Sequence, residues 1–186
     1  MNKSDADIGV LIYPGVQMSA VLGICDLFEV ANGIAGERTP DGAVIRYSHW
    51  KADTVALPKP VFERFPGGTA GLSVLVIPPS LEPPISPEEA APIAHWLCDI
   101  HGKGTMLASI CAGAFLLGET GLLAGRRVTT HWRYDERFHA RFPEAQTGTA
   151  PLFIDGGDIL SAGGLMAWTD MGLKLVDRYL GPVVMA

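Results

Sequence analysis

The sequence lacks the features that mark a secreted, membrane-spanning or nucleic-acid-binding chain. Only three cysteines occur among 186 residues, an odd number that suits reduced thiols better than a disulfide framework. The polar first residues contain no signal-peptide region, and no uninterrupted apolar run approaches the roughly 20 residues of a membrane span. A net charge of −6 argues against direct binding of nucleic acid. We therefore expect a cytoplasmic protein without a membrane partner, whose DNA contacts, if any, come from outside these residues.

Glycine motifs for nucleotides and clusters of metal ligands are also missing from the sequence. The pair Gly163-Gly164 has neither the dinucleotide nor the P-loop spacing. His95, Cys98 and His101 share one side of a predicted helix, but no matching cluster of ligands stands elsewhere. We therefore expect no cofactor and no metal. Because there is no repeat or linker and 48% of the residues are hydrophobic, residues 1–186 are predicted to form a single domain.

Apolar runs and helical patterns alternate along the chain. We predict strands at 8–12, 44–50, 73–77, 104–110, 127–131, 152–154 and 158–161. The first predicted helix covers 21–31 and ends at Asn32-Gly33. The capping box of Ser86 and Glu89 opens a second helix, in which Pro92 predicts a kink or a later start. Further helices are predicted at 112–117, at 134–142 and after Gly163-Gly164. Residues 33–42 and 58–71 are predicted loops. This alternation predicts a mostly parallel sheet covered on both faces.

The run Ser109-Ile110-Cys111-Ala112-Gly113 places a cysteine between a predicted strand and a predicted helix. This is the layout of a nucleophile elbow, in which a tight turn aims a side chain into a crevice at the carboxyl end of a sheet. A thiol over the positive end of a helix tends toward thiolate, and the small Ala112 and Gly113 permit close approach of a ligand. A free cysteine that fills the core fits the same local pattern, so the residues around Cys111 leave both interpretations open.

Four segments together carry a family resemblance over nearly the whole chain, from about residue 8 to residue 180. They are Tyr13-Pro14-Gly15, the Cys111 elbow, 121–132 with its Arg-Arg-Val-Thr-Thr-His-Trp ending, and Leu160-Ser161-Ala162-Gly163-Gly164. The sequence resembles the ThiJ/PfpI, class I glutamine-amidotransferase-like superfamily, and within it the amino-terminal domain of AraC-type transcriptional regulators. The resemblance implies a flavodoxin-like three-layer α/β sandwich, commonly dimeric, with Cys111 at the floor of a pocket that His131 lines. The alternative for His131 is a histidine at a strand end that the backbone satisfies.

The chain departs from the catalytic pattern that the resemblance implies. Enzymes of the superfamily carry an acidic residue on the first helix opposite the thiol, and this position is Ala20 here. Peptidase-like members have a histidine after the cysteine, where this chain has Ala112. Many members have Gly-Gly after the central strand, where this chain has Pro79-Ser80 and only Ser80 has an amide N–H to offer an oxyanion. Because a cysteine nucleophile needs a proton shuttle and these groups are absent, binding is favoured over turnover.

The leading hypothesis is a ligand-sensing and dimerisation domain of an AraC-type regulator. A small-molecule effector would contact a set of residues around the elbow, namely Ala20, Ser80, Cys111, Ala112, His131 and Gly163. Effector binding would bias a homodimer, and DNA would be bound by a carboxyl-terminal helix-turn-helix domain beyond these residues. The alternative is a cysteine-dependent hydratase or hydrolase of small carbon–nitrogen compounds, similar to isonitrile hydratases, that uses Cys111 with His131. A redox-sensing thiol at Cys111 is a third hypothesis.

Overall fold

The computed structural model describes residues 5–52, 56–67, 71–148 and 150–186. Its strands are β1 (Ala6–Ile12), β2 (Ile45–Lys51), β3 (Lys59–Arg64), β4 (Val74–Ile77), β5 (Met106–Ile110), β6 (Arg127–Val128), β7 (Gln146–Thr147), β8 (Phe153–Asp155) and β9 (Ile159–Ala162). Its helices are α1 (Met18–Arg38), α2 (Pro87–Gly102), α3 (Gly113–Gly118), α4 (Asp135–Arg141), α5 (Trp168–Tyr179) and α6 (Pro182–Met185), with a 3₁₀ turn at Trp132–Tyr134.

Seven of these strands form one sheet in the order β3-β2-β1-β4-β5-β9-β8. The five inner strands run parallel, whereas β3 and β8 pair antiparallel at the two edges. The short strands β6 and β7 pair with each other outside this sheet. The prediction of an α/β fold with a mostly parallel sheet is therefore confirmed.

The sheet is the middle of three layers. Alternate residues of its strands, such as Val10 and Val76, are fully buried against α1 and α5 on one face. Their neighbours Leu75 and Ile77 are fully buried against α2 and α3 on the other face. Because successive side chains of a strand point to opposite faces, these continuous apolar runs mark strands that are buried on both sides.

Helix α1 is longer than predicted, because the expected stop at Asn32-Gly33 is wrong. The Asn32 side chain accepts a hydrogen bond from Ile45 N at 2.9 Å and donates one to Ile45 O at 2.8 Å. Asn32 thus fastens the helix to the start of β2 instead of ending it. With a mean hydropathy of 1.4, α1 is the helix within the described ranges that is long and apolar enough to cross a membrane. The helix predicted at 21–31 was too short to cross a membrane. Ile24 and Phe28 of α1 pack as they do in a core helix.

Two further predictions about elements need correction. Residues 58–71 were expected to form a loop, but 59–64 form the edge strand β3, while 68–70 lie outside the described residues. All six residues of β3 are exposed, so it has no buried apolar alternation to reveal it. The strand expected at 127–131 ends at Val128, and Thr129 and Thr130 bond to neighbouring segments instead. The capping box of Ser86 and Glu89 is confirmed, and α2 starts there and continues through Pro92.

Candidate functional site

Cys111 occupies a tight turn between β5 and α3 at the carboxyl edge of the sheet. Its φ of 54° lies in the left-handed region, which non-glycine residues rarely adopt. The turn is fixed by a bond of 2.8 Å from Cys111 N to Ala162 O of the neighbouring strand β9. A Cβ on Gly113 would lie 2.5 Å from Ile77 O, so only glycine lets α3 begin this close to β4. The strand, the turn and the helix therefore have the geometry that the Ser109–Gly113 pattern predicts.

The ends of neighbouring strands are tied together around this turn. Thr130 Oγ1 donates to Cys111 O at 2.8 Å, and the Tyr13 hydroxyl donates to Pro78 O at 2.6 Å. Gln17 N, at the start of α1, donates to Pro79 O at 2.8 Å. The carboxyl edge around Cys111 is thus built from the ends of β1, β4, β5 and β9 and from the start of α1.

Most of the residues expected to bind an effector lie buried around the turn. Cys111 and Ala112 belong to one apolar cluster. Ala20, Cys111 and Ala112 are each no more than 2% exposed. Ser80 is also buried, and its hydroxyl donates to Gly15 O at 3.0 Å and accepts a bond of 3.1 Å from Glu82 N. A Cβ on Gly163 would lie 2.9 Å from Thr130 O, so this glycine permits close backbone approach. The residues around the turn are closely packed.

His131 is half-buried, and its contacts are with its own segment. Its Nδ1 accepts a hydrogen bond of 3.1 Å from Arg133 N and so caps the 3₁₀ turn. Its ring lies 5.4 Å from the Trp132 ring and 6.1 Å from the Tyr134 ring, measured between centroids. The neighbouring residue Thr130 bonds to Cys111 instead. Backbone capping, the alternative considered for His131, thus accounts for its position.

Burial controls the ionisation of the Cys111 thiol. Desolvation raises the pKa of this thiol, and the opposing hydrogen bond from the Ala112 amide does not reverse the shift. The expectation of a thiol that tends toward thiolate is therefore wrong for this conformation. Helix α3 has only six residues and cannot offset the loss of water around a side chain that is 2% exposed. Burial, with a smaller contribution from Cys111, also raises the pKa of Tyr13.

The carboxylates of α1 face away from Cys111. Asp26 and Glu29 are exposed, and Glu29 accepts hydrogen bonds from Arg64 at 2.8 Å and from the Tyr47 hydroxyl at 2.9 Å. The bonds from Arg64 and then Tyr47 lower the pKa of Glu29. These two carboxylates therefore do not replace the acidic group that Ala20 lacks.

Cys25, Cys98, His95 and His101 have separate partners. Cys25 is buried in the core, where its Sγ lies 3.3 Å from His49 Nε2. Cys98 is half-buried and donates to Thr120 O at 3.4 Å. His101 Nε2 lies 2.9 Å from Asp158 Oδ2. His95 contacts a different carboxylate, that of Asp99. Among the described residues, no group of three or more His, Cys, Asp or Glu side chains is arranged to hold a metal.

Two residues with unpaired buried atoms were not among the site residues predicted from the sequence. Gln17 Oε1 and Trp168 Nε1 are buried, and neither atom has a hydrogen-bond partner within the described part of the chain. Gln17 precedes α1, and the Trp168 ring packs against Gly23 of the same helix. An unpaired buried acceptor and donor cost free energy, so both call for an explanation such as a ligand. The sequence signal for Gln17 was a polar residue two positions after Gly15 of the Tyr13-Pro14-Gly15 turn.

Comparisons with known proteins agree with this geometry. The model of the DJ-1/PfpI family matches residues 69–178. The HTH-type transcriptional regulator CdhR of Pseudomonas aeruginosa is 37% identical over 90 residues, which are 48% of this chain and 26% of that protein. The isonitrile hydratase of Pseudomonas putida is 35% identical over 78 residues, which are 40% of this chain and 32% of the enzyme. The matched segments thus span about a quarter to a third of these relatives.

A solved structure supports the same fold over the full length. The crystal structure of an AraC family transcriptional regulator from Pseudomonas putida superposes with a TM-score of 0.71 at 20% identity. The superposition covers 97% of this chain and 95% of that chain. At this identity the likeness establishes the three-layer fold alone.

Proposed function

This chain belongs to the DJ-1/PfpI family, and from that premise we propose that it is the small-molecule-sensing and dimerisation domain of a cytoplasmic AraC-type transcriptional regulator. One observation carries the proposal: Cys111 occupies a tight turn, but its thiol is buried and has a raised pKa. A buried thiol with a raised pKa, on a chain with Ala20 at the position of the acidic residue, favours binding over a reaction that needs an ionised nucleophile and a proton shuttle. The helix-turn-helix regulators among the relatives support this reading.

The effector would bind in the crevice beside Cys111 and Ala112. Gln17 supplies an unpaired acceptor and Trp168 an unpaired donor, so a polar group of the effector that reaches either atom satisfies a buried hydrogen-bonding group. Because Cys111 is only 2% exposed, entry requires the surrounding segments to separate. Binding is thereby linked to movement at the start of α1, and a ligand that prefers the open arrangement shifts the population toward it.

Apolar side chains on α1 and β3 support dimerisation. Leu22, Val30 and Ile34 of α1 are 51%, 64% and 38% exposed, and Val61 and Phe62 of β3 are 57% and 44% exposed. The bond between Arg64 and Glu29 holds β3 beside α1, so the two sets are neighbours. Large apolar patches on a monomer's surface mark interaction sites. We assign this patch, Leu22, Val30, Ile34, Val61 and Phe62, to contact with a second copy of the chain and name it the α1/β3 patch.

A thermal-shift screen of small metabolites tests the sensing site. An effector that binds the native state raises the melting temperature in proportion to its concentration. We expect the shift to be lost in Gln17→Met, which removes the unpaired Oε1, together with the bond from Nε2 to Ser19 Oγ, at nearly constant volume. The matched control is Gln146→Met, because Gln146 is exposed on β7. Metabolites that stabilise the wild type and Gln17→Met equally would contradict the assignment of the crevice.

The cysteine-dependent hydratase remains the second candidate, because an isonitrile hydratase is among the relatives. In that enzyme-like reading Cys111 and His131 would supply the chemistry. The local bonding of His131 and the burial of the thiol both weigh against it.

A further inference from the structure

A cavity of about 690 Å³ lies at the edge of the sheet opposite to Cys111. Leu72, which precedes β4, and Thr105, which precedes β5, line it at the amino ends of these strands. Thr105 and Cys111 flank the two ends of β5, so the cavity and the crevice are separated by roughly 20 Å at about 3.3 Å per residue. Its volume lies in the range of pockets that bind small molecules. The cavity is therefore a separate candidate site.

The floor of the cavity is apolar and held in place. A Cβ on Gly9 would lie 2.9 Å from Leu72 Cδ1 and 3.0 Å from Trp50 Cδ1, so both side chains close over this glycine. Trp50 Nε1 donates to Ser48 Oγ at 2.9 Å, and its ring stacks on Trp96 with centroids 5.3 Å apart. An indole that is held by a hydrogen bond and by a ring contact offers a preformed flat surface to an apolar or cationic group.

The charged groups around the cavity are of two kinds. Arg46 and Arg64 are engaged, by Asp5 at 2.6 Å and by Glu29 at 2.8 Å. Lys103 and Glu63 also line the cavity, and neither forms an ion pair within the ranges that the structure describes. Lys103 follows α2, whereas Glu63 lies on the edge strand β3, so they stand on two sides of the floor.

From this arrangement we propose that the cavity binds a zwitterionic small molecule of the amino-acid class. The apolar body lies on Trp50 and Leu72, the carboxylate meets the Lys103 ammonium, and the ligand's ammonium meets the Glu63 carboxylate. Asp7 also lines the cavity and has an interaction of its own, so Lys103 and Glu63 are the cation and the anion of the described lining that form no ion pair. They select a ligand that carries both charges, because a ligand with one charge leaves the other protein group unpaired. This site goes beyond the proposed effector crevice and does not depend on it.

Isothermal titration of the purified chain with three related probes tests the proposal. L-phenylalanine carries both charges, phenethylamine carries only the ammonium, and 3-phenylpropionate carries only the carboxylate. We expect phenylalanine to bind more tightly than both analogues. Phenylalanine binding no tighter than the two analogues, or no binding at millimolar concentration, overturns the proposal.

Neutralising variants assign the two ends of the ligand. We expect Lys103→Gln to weaken phenylalanine and 3-phenylpropionate about fivefold and to leave phenethylamine unchanged, as suits a partly exposed charge pair. Glu63→Gln should weaken phenylalanine and phenethylamine and spare 3-phenylpropionate. Lys51→Gln and Glu136→Gln, at exposed positions that do not line the cavity, are the matched controls. Equal effects of all four variants, or no effect of any, overturn the assignment.

The NMR signals of the tryptophan side chains show where phenylalanine binds. The indole N–H signal of Trp50 should move on addition of phenylalanine, while that of Trp132, beside His131 at the other edge, stays in place. Cys111→Ser should leave the titration unchanged. Binding that is lost in Cys111→Ser would place phenylalanine in the crevice and overturn this proposal without affecting the proposed function.

Discussion

Cys111 has a positive φ and is buried, and these two features shift the pKa of its thiol in opposite directions. The turn at φ 54° brings the Ala112 amide to the sulfur, which favours the thiolate, while the loss of water favours the thiol. Burial is the larger effect, and the pKa of Cys111 is raised. The sequence could predict the position of this cysteine and the neutral Ala20 on the first helix. It could not predict the burial, because that depends on how α1, β4 and β9 close around the turn.

Alkylation of Cys111 by iodoacetamide as a function of pH checks this balance. Because only the thiolate reacts and its pKa is raised, the midpoint of the rate profile should lie above the value of about 8.5 for a free cysteine. At neutral pH the reaction should accordingly be slow. Mass spectrometry of the Cys111 peptide gives the rate, with free glutathione as the reference thiol. A midpoint below that of the reference would contradict the account and favour the enzyme or the redox sensor.

Gly113 tests the packing of the turn. Gly113→Ala places a methyl group 2.5 Å from Ile77 O and 2.7 Å from Pro78 O, and backbone atoms cannot move aside as a flexible side chain does. We expect a loss of about 1–3 kcal/mol in the free energy of unfolding, measured by urea denaturation. Gly33→Ala is the matched control, because nothing lies within 4 Å of its Cβ and alanine favours an exposed helix interior. Equal stability of the two variants would contradict the close approach of α3 to β4.

At the scale of elements, the sequence predicted buried segments better than exposed ones. Strands β1, β4 and β5 are continuous apolar runs, and their burial on both faces follows from that pattern. Strand β3 has neither a buried face nor a clean alternation, and Pro60 argues against a strand. The end of α1 was misplaced because the side-chain bonds of Asn32 to β2 are long-range contacts. Asn32-Gly33 alone has the composition of a helix stop.

Asp158 joins three elements and predicts a pH dependence of stability. Its carboxylate accepts from Arg126 Nη1 at 2.6 Å and lies 2.9 Å from His101 Nε2 at the end of α2. The bond from Arg126, followed by that from His101, lowers the pKa of Asp158 to about 2. A lowered folded-state pKa adds stability that is present above the unfolded value of about 3.9 and is lost as the pH falls through about 2.

Asp158→Asn should therefore be less stable than the wild type at neutral pH. We expect a difference of less than about 1 kcal/mol, because the side chain is 46% exposed and solvent screens the pair. The difference should shrink between pH 4 and 2, as measured by urea denaturation across that range. Asp170→Asn, at an exposed residue of α5, is the control. A difference that stays constant down to pH 2 would show that Asp158 acts through packing and not through its charge.

In the whole molecule, helix α1 presents two apolar surfaces. One packs on the sheet, and the other contributes Leu22, Val30 and Ile34 to the α1/β3 patch. We expect the wild type to sediment as a dimer and Val30→Glu to weaken association at least tenfold, because a charge would be buried at the contact. Val183→Glu is the matched control, since Val183 is 63% exposed but lies on α6 outside the patch. A monomeric wild type, or equal weakening by both variants, would contradict the assignment.

Ligand binding without turnover beside Cys111 predicts that the chain does not hydrate isonitriles, and an isonitrile hydration assay tests this prediction. Purified wild type and Cys111→Ser are incubated with a small isonitrile, and the corresponding formamide is quantified over time. Because the thiol is buried with a raised pKa and Ala20 moves no proton, we predict the same background rate for both proteins. Turnover by the wild type that disappears in Cys111→Ser would contradict the account and identify the chain as a cysteine-dependent hydratase.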